Sequence, residues 1–299
     1  MTLTGLHLLM TYQCNFECDH CFVFGGPEQS GTMTIPMIRR ILEQADELGT
    51  IEWIYFEGGE AFLYYPVLVA GVRMASERGY LVGIVTNAYW ATDEEDAFEW
   101  LRPFAGLLQD LSISRDEYHG DDGESVAARA ERARGAAARL GIPVDVISIS
   151  RFEEMTCEPA VGQLPGGESG VMFRGRAAEK LAPLVTPKPW EGFTECSWED
   201  LRDPGRVHVD PFGNLHLCQG VSIGNIKRQA LRQICREYDA EHHPVIGALL
   251  AGGPAELARR HGLPDREGYA DACHLCYEVR RALRERYPET LTPDQMYGA

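Results

Sequence analysis

Met10-Thr11-Tyr12-Gln13-Cys14-Asn15-Phe16-Glu17-Cys18-Asp19-His20-Cys21-Phe22 sets three cysteines in a short polar turn directly after the apolar run Leu6 to Met10. The sulfurs of Cys14, Cys18 and Cys21 can converge on one small object, and a metal centre is the economical explanation. Three thiolates are one short of a closed tetrahedral zinc site or a fully ligated iron–sulfur cube, so a fourth position would stay open. Open coordination separates a metal that reacts from one that braces a fold. A zinc knuckle borrowing a distant fourth ligand, or three cysteines together by chance, are the alternatives at this point.

The whole chain narrows the setting. Its 299 residues can bury a full core and suit one large domain with a smaller appendage. A net charge of −17 argues against a nucleic-acid groove as the working surface, because phosphate binding needs clustered Lys and Arg. Gly5 and His7 interrupt the N-terminal apolar run, which makes a poor signal peptide. No apolar stretch approaches the roughly 20 residues that cross a bilayer, so a soluble cytoplasmic protein with no membrane partner is expected. Nine cysteines, an odd count in that reducing setting, point to metal ligation rather than disulfides.

Short β-rich runs alternate with helical patterns along the first 182 residues. The patterning predicts strands at Leu6 to Met10, Glu52 to Phe56, Leu81 to Val85, Leu108 to Ser114, Val144 to Ile149 and Gly170 to Arg174. Helices are predicted at 34–48, 65–78, 93–102, 124–140 and 175–182, with Thr34 and Thr92 as N-caps and Pro36 in a first turn. Strict alternation implies a parallel sheet, open or curled into a barrel. In barrels, chemistry gathers at the C-terminal ends of strands. Here the cysteine turn follows strand one, Glu57-Gly58-Gly59-Glu60 strand two and Thr86-Asn87 strand three, while Ser112 to His119 ends and follows strand four. Glycines let a backbone approach a ligand closely, and Glu60 offers a carboxylate to an ammonium group, although Gly-Gly-Glu can equally be a plain turn.

Cys14-x-x-x-Cys18-x-x-Cys21, with His20 in the usually aromatic slot, together with Gly58-Gly59-Glu60 after strand two, resembles the radical S-adenosylmethionine (SAM) superfamily. The resemblance implies a partial (β/α)6 TIM-type barrel. It also implies a [4Fe–4S] cluster held by the three thiolates, with SAM chelating its open iron. The cluster would cleave SAM to a 5′-deoxyadenosyl radical that takes a substrate hydrogen. By the same resemblance, Gly58, Gly59 and Glu60 would bind the SAM amino group, Thr86 and Asn87 would face its pocket, and His20 would line it. Ser112 or Ser114 would touch ribose, the common Ser-x-Asp being replaced here and Asp116 displaced. Arg174, or Arg176, would pair with the SAM carboxylate. Asp116 to His119 could reach substrate or serve as surface, and Cys157 is a thiol without an assigned role.

Pro183, Pro187 and Pro189 mark a stiff connector over 183–189. Beyond it, Arg206 to Asp210 and Leu215 to Cys218 alternate around Pro211-Phe212-Gly213-Asn214, the pattern of a β-hairpin. Cys196, Cys218, Cys273 and Cys276 supply four thiolates, which close a cube completely and equally suit structural zinc. Cys235 reads as core, and His208, His216 and His274 are possible substitute ligands. The hairpin, Gly224-Asn225-Ile226 and the late Cys-x-x-Cys resemble the SPASM/twitch extension, in its shorter twitch form with one auxiliary [4Fe–4S] cluster. Residues 190–299 are therefore expected to form a small α+β auxiliary-cluster domain after a barrel over 1–182.

The resulting expectation is a radical SAM enzyme, with net oxidation through the auxiliary cluster and a flavodoxin- or ferredoxin-type reductant. Peptide maturation is favoured for the substrate. A dehydrogenase or isomerase acting on a sugar, aminocyclitol or natural-product intermediate is the runner-up, and an iron–sulfur electron carrier or zinc-binding scaffold is the rival from another class.

Overall fold

The computed structural model describes residues 1–119, 123–150, 167–263, 266 and 268–299. Cys157 lies outside them. Six strands, β1 (Gly5–Thr11), β2 (Trp53–Gly58), β3 (Leu81–Thr86), β4 (Asp110–Ser114), β5 (Val144–Ile149) and β6 (Gly167–Ser169), pair in parallel in chain order. Between them run α1 (Ile35–Leu48), α2 (Tyr65–Glu77), α3 (Glu94–Leu101) and α4 (Gly123–Arg139), with α5 (Arg176–Lys180) after β6. This is the partial TIM-type barrel order that strict alternation implied.

α1 illustrates why the elements start and stop where they do. Thr34 accepts a hydrogen bond from Met37 N, Pro36 occupies the first turn, and Gly49 at φ 75° closes the end. Its buried face, Ile38, Ile41, Leu42 and Ala45, packs into a core with Leu6, Leu8 and Met10 of β1. Two local expectations need correction. Asp93, not Thr92, caps α3: its carboxylate accepts from Asp96 N (2.8 Å), while the Thr92 hydroxyl is taken by the Asp96 carboxylate. The sixth strand is Gly167–Ser169 rather than Gly170–Arg174. Beyond Ser169 the chain leaves the sheet: Phe173 N donates to the Asp271 carboxylate (3.4 Å), and Val171 and Phe173 bury against Ala177, Leu181 and Ala270.

A two-residue strand β7 (Lys188–Pro189) pairs with β11 (Gly268–Tyr269), tying the proline-rich stretch to the region ahead of α8 (Ala272–Ala282). The expected hairpin is present as β8 (Arg206–Val209) and β9 (Asn214–Cys218), followed by β10 (Val221–Asn225), α6 (Leu231–Glu237) and α7 (Ile246–His261). β8 pairs in parallel with β1 on the edge opposite β2, so one nine-stranded sheet runs β10-β9-β8-β1-β2-β3-β4-β5-β6. β1 is buried along its whole length. Val207, Val209 and Leu215 from the hairpin, and Ile234 and Cys235 from α6, share a core with the helices of the N-terminal part. Cys235 is thus core, as its pattern suggested.

This shared core makes Leu215→Ala a stability test for both halves. Truncating a fully buried leucine costs about 2–5 kcal/mol. Denaturant unfolding should show one transition, displaced by that amount; two separate transitions, with only one displaced, would contradict a common core.

Candidate functional site

Alternation along β1 sends Leu6, Leu8 and Met10 toward the helices and His7, Leu9 and Thr11 to the opposite, concave face. At its end the chain turns into the cysteine loop. Gly58 and Gly59 hold that loop from the side. Gly59 N donates to Thr11 O (2.7 Å) and Glu60 N to Gln13 O (2.9 Å). A Cβ on Gly59 would sit 2.2 Å from Gln13 O, and one on Gly58, at φ 138°, would lie 2.5 Å from Thr11 O. Only glycine permits this approach.

The loop is also held from behind. Arg176 donates to Cys18 O (2.9 Å) and Gly25 O (2.7 Å), and its own N–H to Cys21 O (3.0 Å). The sulfurs accept weak bonds of the kind that stabilise a thiolate: Phe16 N to Cys14 Sγ (3.4 Å), Asn87 Nδ2 to Cys14 Sγ (3.7 Å) and Gly25 N to Cys21 Sγ (3.2 Å). Burial pushes the Cys14 thiol up to about 12 and raises Cys18 as well, so a cation must supply the charge that ionises them.

Cys14, Cys18 and Cys21 open onto a cleft whose wall also carries His20, Glu57, Gly58, Gly59, Thr86, Asn87, Ser114, Asp116 and His119. Thus the cleft brings together most of the residues anticipated from sequence. Three do not line it. Glu60 is turned away: its Oε1 accepts from Phe62 N (3.0 Å) and Thr86 Oγ1 (3.0 Å), its Oε2 from Asn87 N (2.8 Å), bolting the end of β2 to the end of β3. Ser112 donates to Asp110 (2.7 Å) deeper on the concave face, leaving Ser114 as the serine of the cleft. Arg174 lies elsewhere: its Nη1 donates to Cys218 Sγ at 3.0 Å, in a second pocket.

Asp116 gains a definite position. It accepts from Tyr118 N (3.1 Å) and Ile149 N (3.2 Å) and pairs with His119 (2.7 Å) and His20 (3.3 Å). Burial alone would raise its pKa, but the two imidazoles outweigh burial and hold it well below the usual carboxylate range. Asp116 therefore fixes the ring of His20 between two of the loop cysteines.

The second, smaller pocket is lined by Cys196, Cys218, Cys273 and Cys276 with Arg174, Glu199 and Arg280. Cys273 and Cys276 sit in the first turns of α8, whose start is capped by Asp271 accepting from His274 N (2.7 Å). Burial raises Cys196 to about 12 and lifts Cys273 and Cys276. The buried Arg174 and Arg280 are the local counter-charges. Four thiols and two guanidiniums suit a fully ligated anionic cluster better than a neutral core. No histidine joins this set: His216 pairs with Asp210 (3.1 Å), His274 Nδ1 accepts from Ala270 N (3.1 Å) and His208 faces Glu57 (3.0 Å).

Residues 8–149 match the family model of the Radical SAM superfamily. This chain contains a radical SAM domain. Among curated proteins it is similar to YydG of Bacillus subtilis (strain 168), named as a candidate peptide biosynthesis protein, at 30% identity over 36% of this chain and 34% of that one. It is also similar to the tungsten-containing aldehyde ferredoxin oxidoreductase cofactor-modifying protein of Pyrococcus furiosus, at 33% identity over 30% of this chain and 25% of that one. The chain thus spans a third or less of the length of these relatives. Among solved structures, Streptococcus suis SuiB bound to precursor peptide SuiA shares the fold, with TM-score 0.56 and 11% identity over 91% of this chain and 76% of that one. Among the described residues no helix is long and apolar enough to cross a membrane.

Sequence reading missed Glu57, His7 and His208 as a group. A lone histidine in the otherwise apolar β1 was the available signal, but its partner His208 is 201 positions away, and only the β1–β8 pairing unites them.

Gly59→Ala should push the cysteine loop off the end of β1, so iron bound at Cys14, Cys18 and Cys21 is lost while the Cys196 pocket still loads; full iron content in the variant would contradict the contact argument. Glu60 yields a pH test. Burial raises its pKa to about 7, against the hydrogen bonds it accepts. Below pH 4.5 both states hold the proton. From there to about 7 the unfolded chain releases it and the fold does not, so stability falls as pH rises, by roughly 3 kcal/mol in all. Denaturation of wild type and Glu60→Gln between pH 5 and 8 should show the gap closing in the variant's favour; a constant gap would mean that the carboxyl titrates normally.

Proposed function

We propose that this protein is a radical SAM enzyme with one auxiliary cluster, acting on a ribosomally made peptide with net oxidation. What carries the reading is the pairing of two cysteine sets. Three thiols share a cleft with the Gly58-Gly59 backbone, and four others line a separate closed pocket beside it. When bound, a [4Fe–4S] cluster with one open iron at the first set supplies the electron that cleaves SAM to a hydrogen-abstracting 5′-deoxyadenosyl radical, and a closed cluster at the second accepts the electron released by the oxidation.

The chain's own residues do the positioning. Arg176 and the glycine pair keep the three-cysteine loop in register with β1. Asn87, fixed by its N–H to Glu60, holds the loop at Asn15 (3.0 Å) and Cys14 and presents its edge to the cleft. Ser114 adds a polar atom on the same wall, where the ribose of SAM needs a partner. Arg174 and Arg280 favour the more anionic, reduced state of whatever the four-thiol pocket holds, which suits an acceptor. A flavodoxin- or ferredoxin-type protein is the expected electron source.

The peptide reading is supported by the likeness to YydG and by the fold shared with SuiB. A small polar substrate is the second reading, favoured by the polar concave face on which His7, Glu57, Asp110 and Ser112 lie.

Anaerobically reconstituted protein should hold about eight irons and release 5′-deoxyadenosine from SAM and dithionite. Replacing Cys14, Cys18 and Cys21 by Ala should abolish release; turnover that survives it would sink the reading. Deuterium passing into 5′-deoxyadenosine from a deuterated precursor peptide would support the peptide substrate, and passing from a deuterated sugar would support the second reading.

A further inference from the structure

His7 and His208 stand side by side in register on β1 and β8, with ring centroids 5.2 Å apart. Glu57, on the neighbouring β2, reaches between them. Its Oε2 lies 3.2 Å from His7 Nδ1 and its Oε1 3.0 Å from His208 Nε2, and the three ligating atoms all fall within 4.8 Å of one another. Each of the three residues is at least nine-tenths buried.

The geometry is not that of a satisfied hydrogen-bond triad. Glu57 Oε1 makes no hydrogen bond despite its closeness to His208 Nε2, and His7 Nε2 also lacks a partner. Buried polar atoms are nearly always paired. Glu57 Oε1 and His208 Nε2, 3.0 Å apart, and His7 Nδ1, 3.2 Å from the other carboxylate oxygen, are donor atoms that a shared cation would bridge. Ligand atoms around a first-row cation with bonds of about 2.0–2.1 Å are separated by about 2.8–3.4 Å, from octahedral to tetrahedral geometry. The two spacings to Glu57, 3.2 Å and 3.0 Å, lie in that range.

We propose that His7, Glu57 and His208 bind a first-row divalent cation, zinc, iron(II) or manganese, on the concave face beneath the cysteine cleft. Two imidazoles and one carboxylate are borderline donors, which select such ions over calcium or magnesium. Three protein ligands leave coordination positions open. Those positions face the cleft, because Glu57 is the member that lines it. Arg206, the nearby cation, pairs with Glu199 at 3.5 Å. A bound ion would offer a Lewis-acidic contact for an oxygen or nitrogen of the substrate. The inference stands independently of what the cysteine sets hold.

Manganese chloride titrated into gel-filtered holoprotein, followed by loss of the free-ion electron paramagnetic resonance signal, tests it. One manganese per chain should bind, zinc should displace it, and spin-echo spectra should reveal coupling to two imidazole nitrogens. His7→Ala and His208→Ala, with cluster absorbance intact, should weaken binding by at least about tenfold. No saturable binding, bound manganese without nitrogen coupling, or unchanged affinity in both variants would overturn the proposal. The nitrogen coupling is read on the wild-type protein, so it decides the matter even if a variant fails to fold, and failure to cleave SAM would leave it untouched.

Discussion

β1 has parallel partners on both edges, β2 on one side and β8 on the other, and most of the molecule's chemistry is laid out by that double pairing. A strand hydrogen-bonded on both edges has little freedom to slide, because a one-residue slip would turn its apolar residues out of the core. Its register therefore fixes where the cysteine loop begins, where Gly58 and Gly59 meet that loop, and where His7 stands against His208. The C-terminal third is joined through the sheet as well as through side chains. Its hairpin contributes Val207, Val209 and Leu215 to the core of the barrel helices.

Electrostatics divide the interior into regions of different character. Burial raises the Cys14 and Cys18 thiols in one set and the Cys196, Cys273 and Cys276 thiols in the other, and each set has buried guanidiniums or amides ready to receive negative charge. On the concave face the reverse holds. Burial alone would raise Glu57, but His7 and His208 keep it well below an ordinary carboxylate, and burial pushes His208 down to about 3. A buried carboxylate between two imidazoles is a place where anionic charge persists in a low-dielectric setting.

Much of the site was legible in the sequence because its parts are local. The Cys14, Cys18 and Cys21 spacing and the Gly58-Gly59 pair each act within a few residues of chain, at strand ends that periodicity locates well. What failed to read was orientation. Glu60 looked like a ligand group, yet its carboxylate is taken by Phe62, Thr86 and Asn87 backbone and hydroxyl donors. Ser112 and Ser114 are equivalent by composition, and only depth along β4 separates the one on Asp110 from the one in the cleft. Arg174 and Arg176 differ in the same way: the chain leaves the sheet at Gly170, and no periodic signal tells which face each side chain then takes. The meeting of His208 with His7 was illegible for a topological reason, since nothing local announces that β8 docks beside β1.

Gly175, at φ 61°, lies so close to Cys21 O that a Cβ there would sit 2.6 Å from it. From either side of this glycine, Arg174 reaches Cys218 and passes over the Phe22 ring at 5.6 Å, while Arg176 grips the backbone at Cys18 and Gly25. Three consecutive residues thus clamp both sulfur sets in one mechanical unit. Breathing of the surrounding helices would leave the path between the sets nearly unchanged, and because the rate of an electron hop falls exponentially with distance, such a clamp would keep the transit time between them constant.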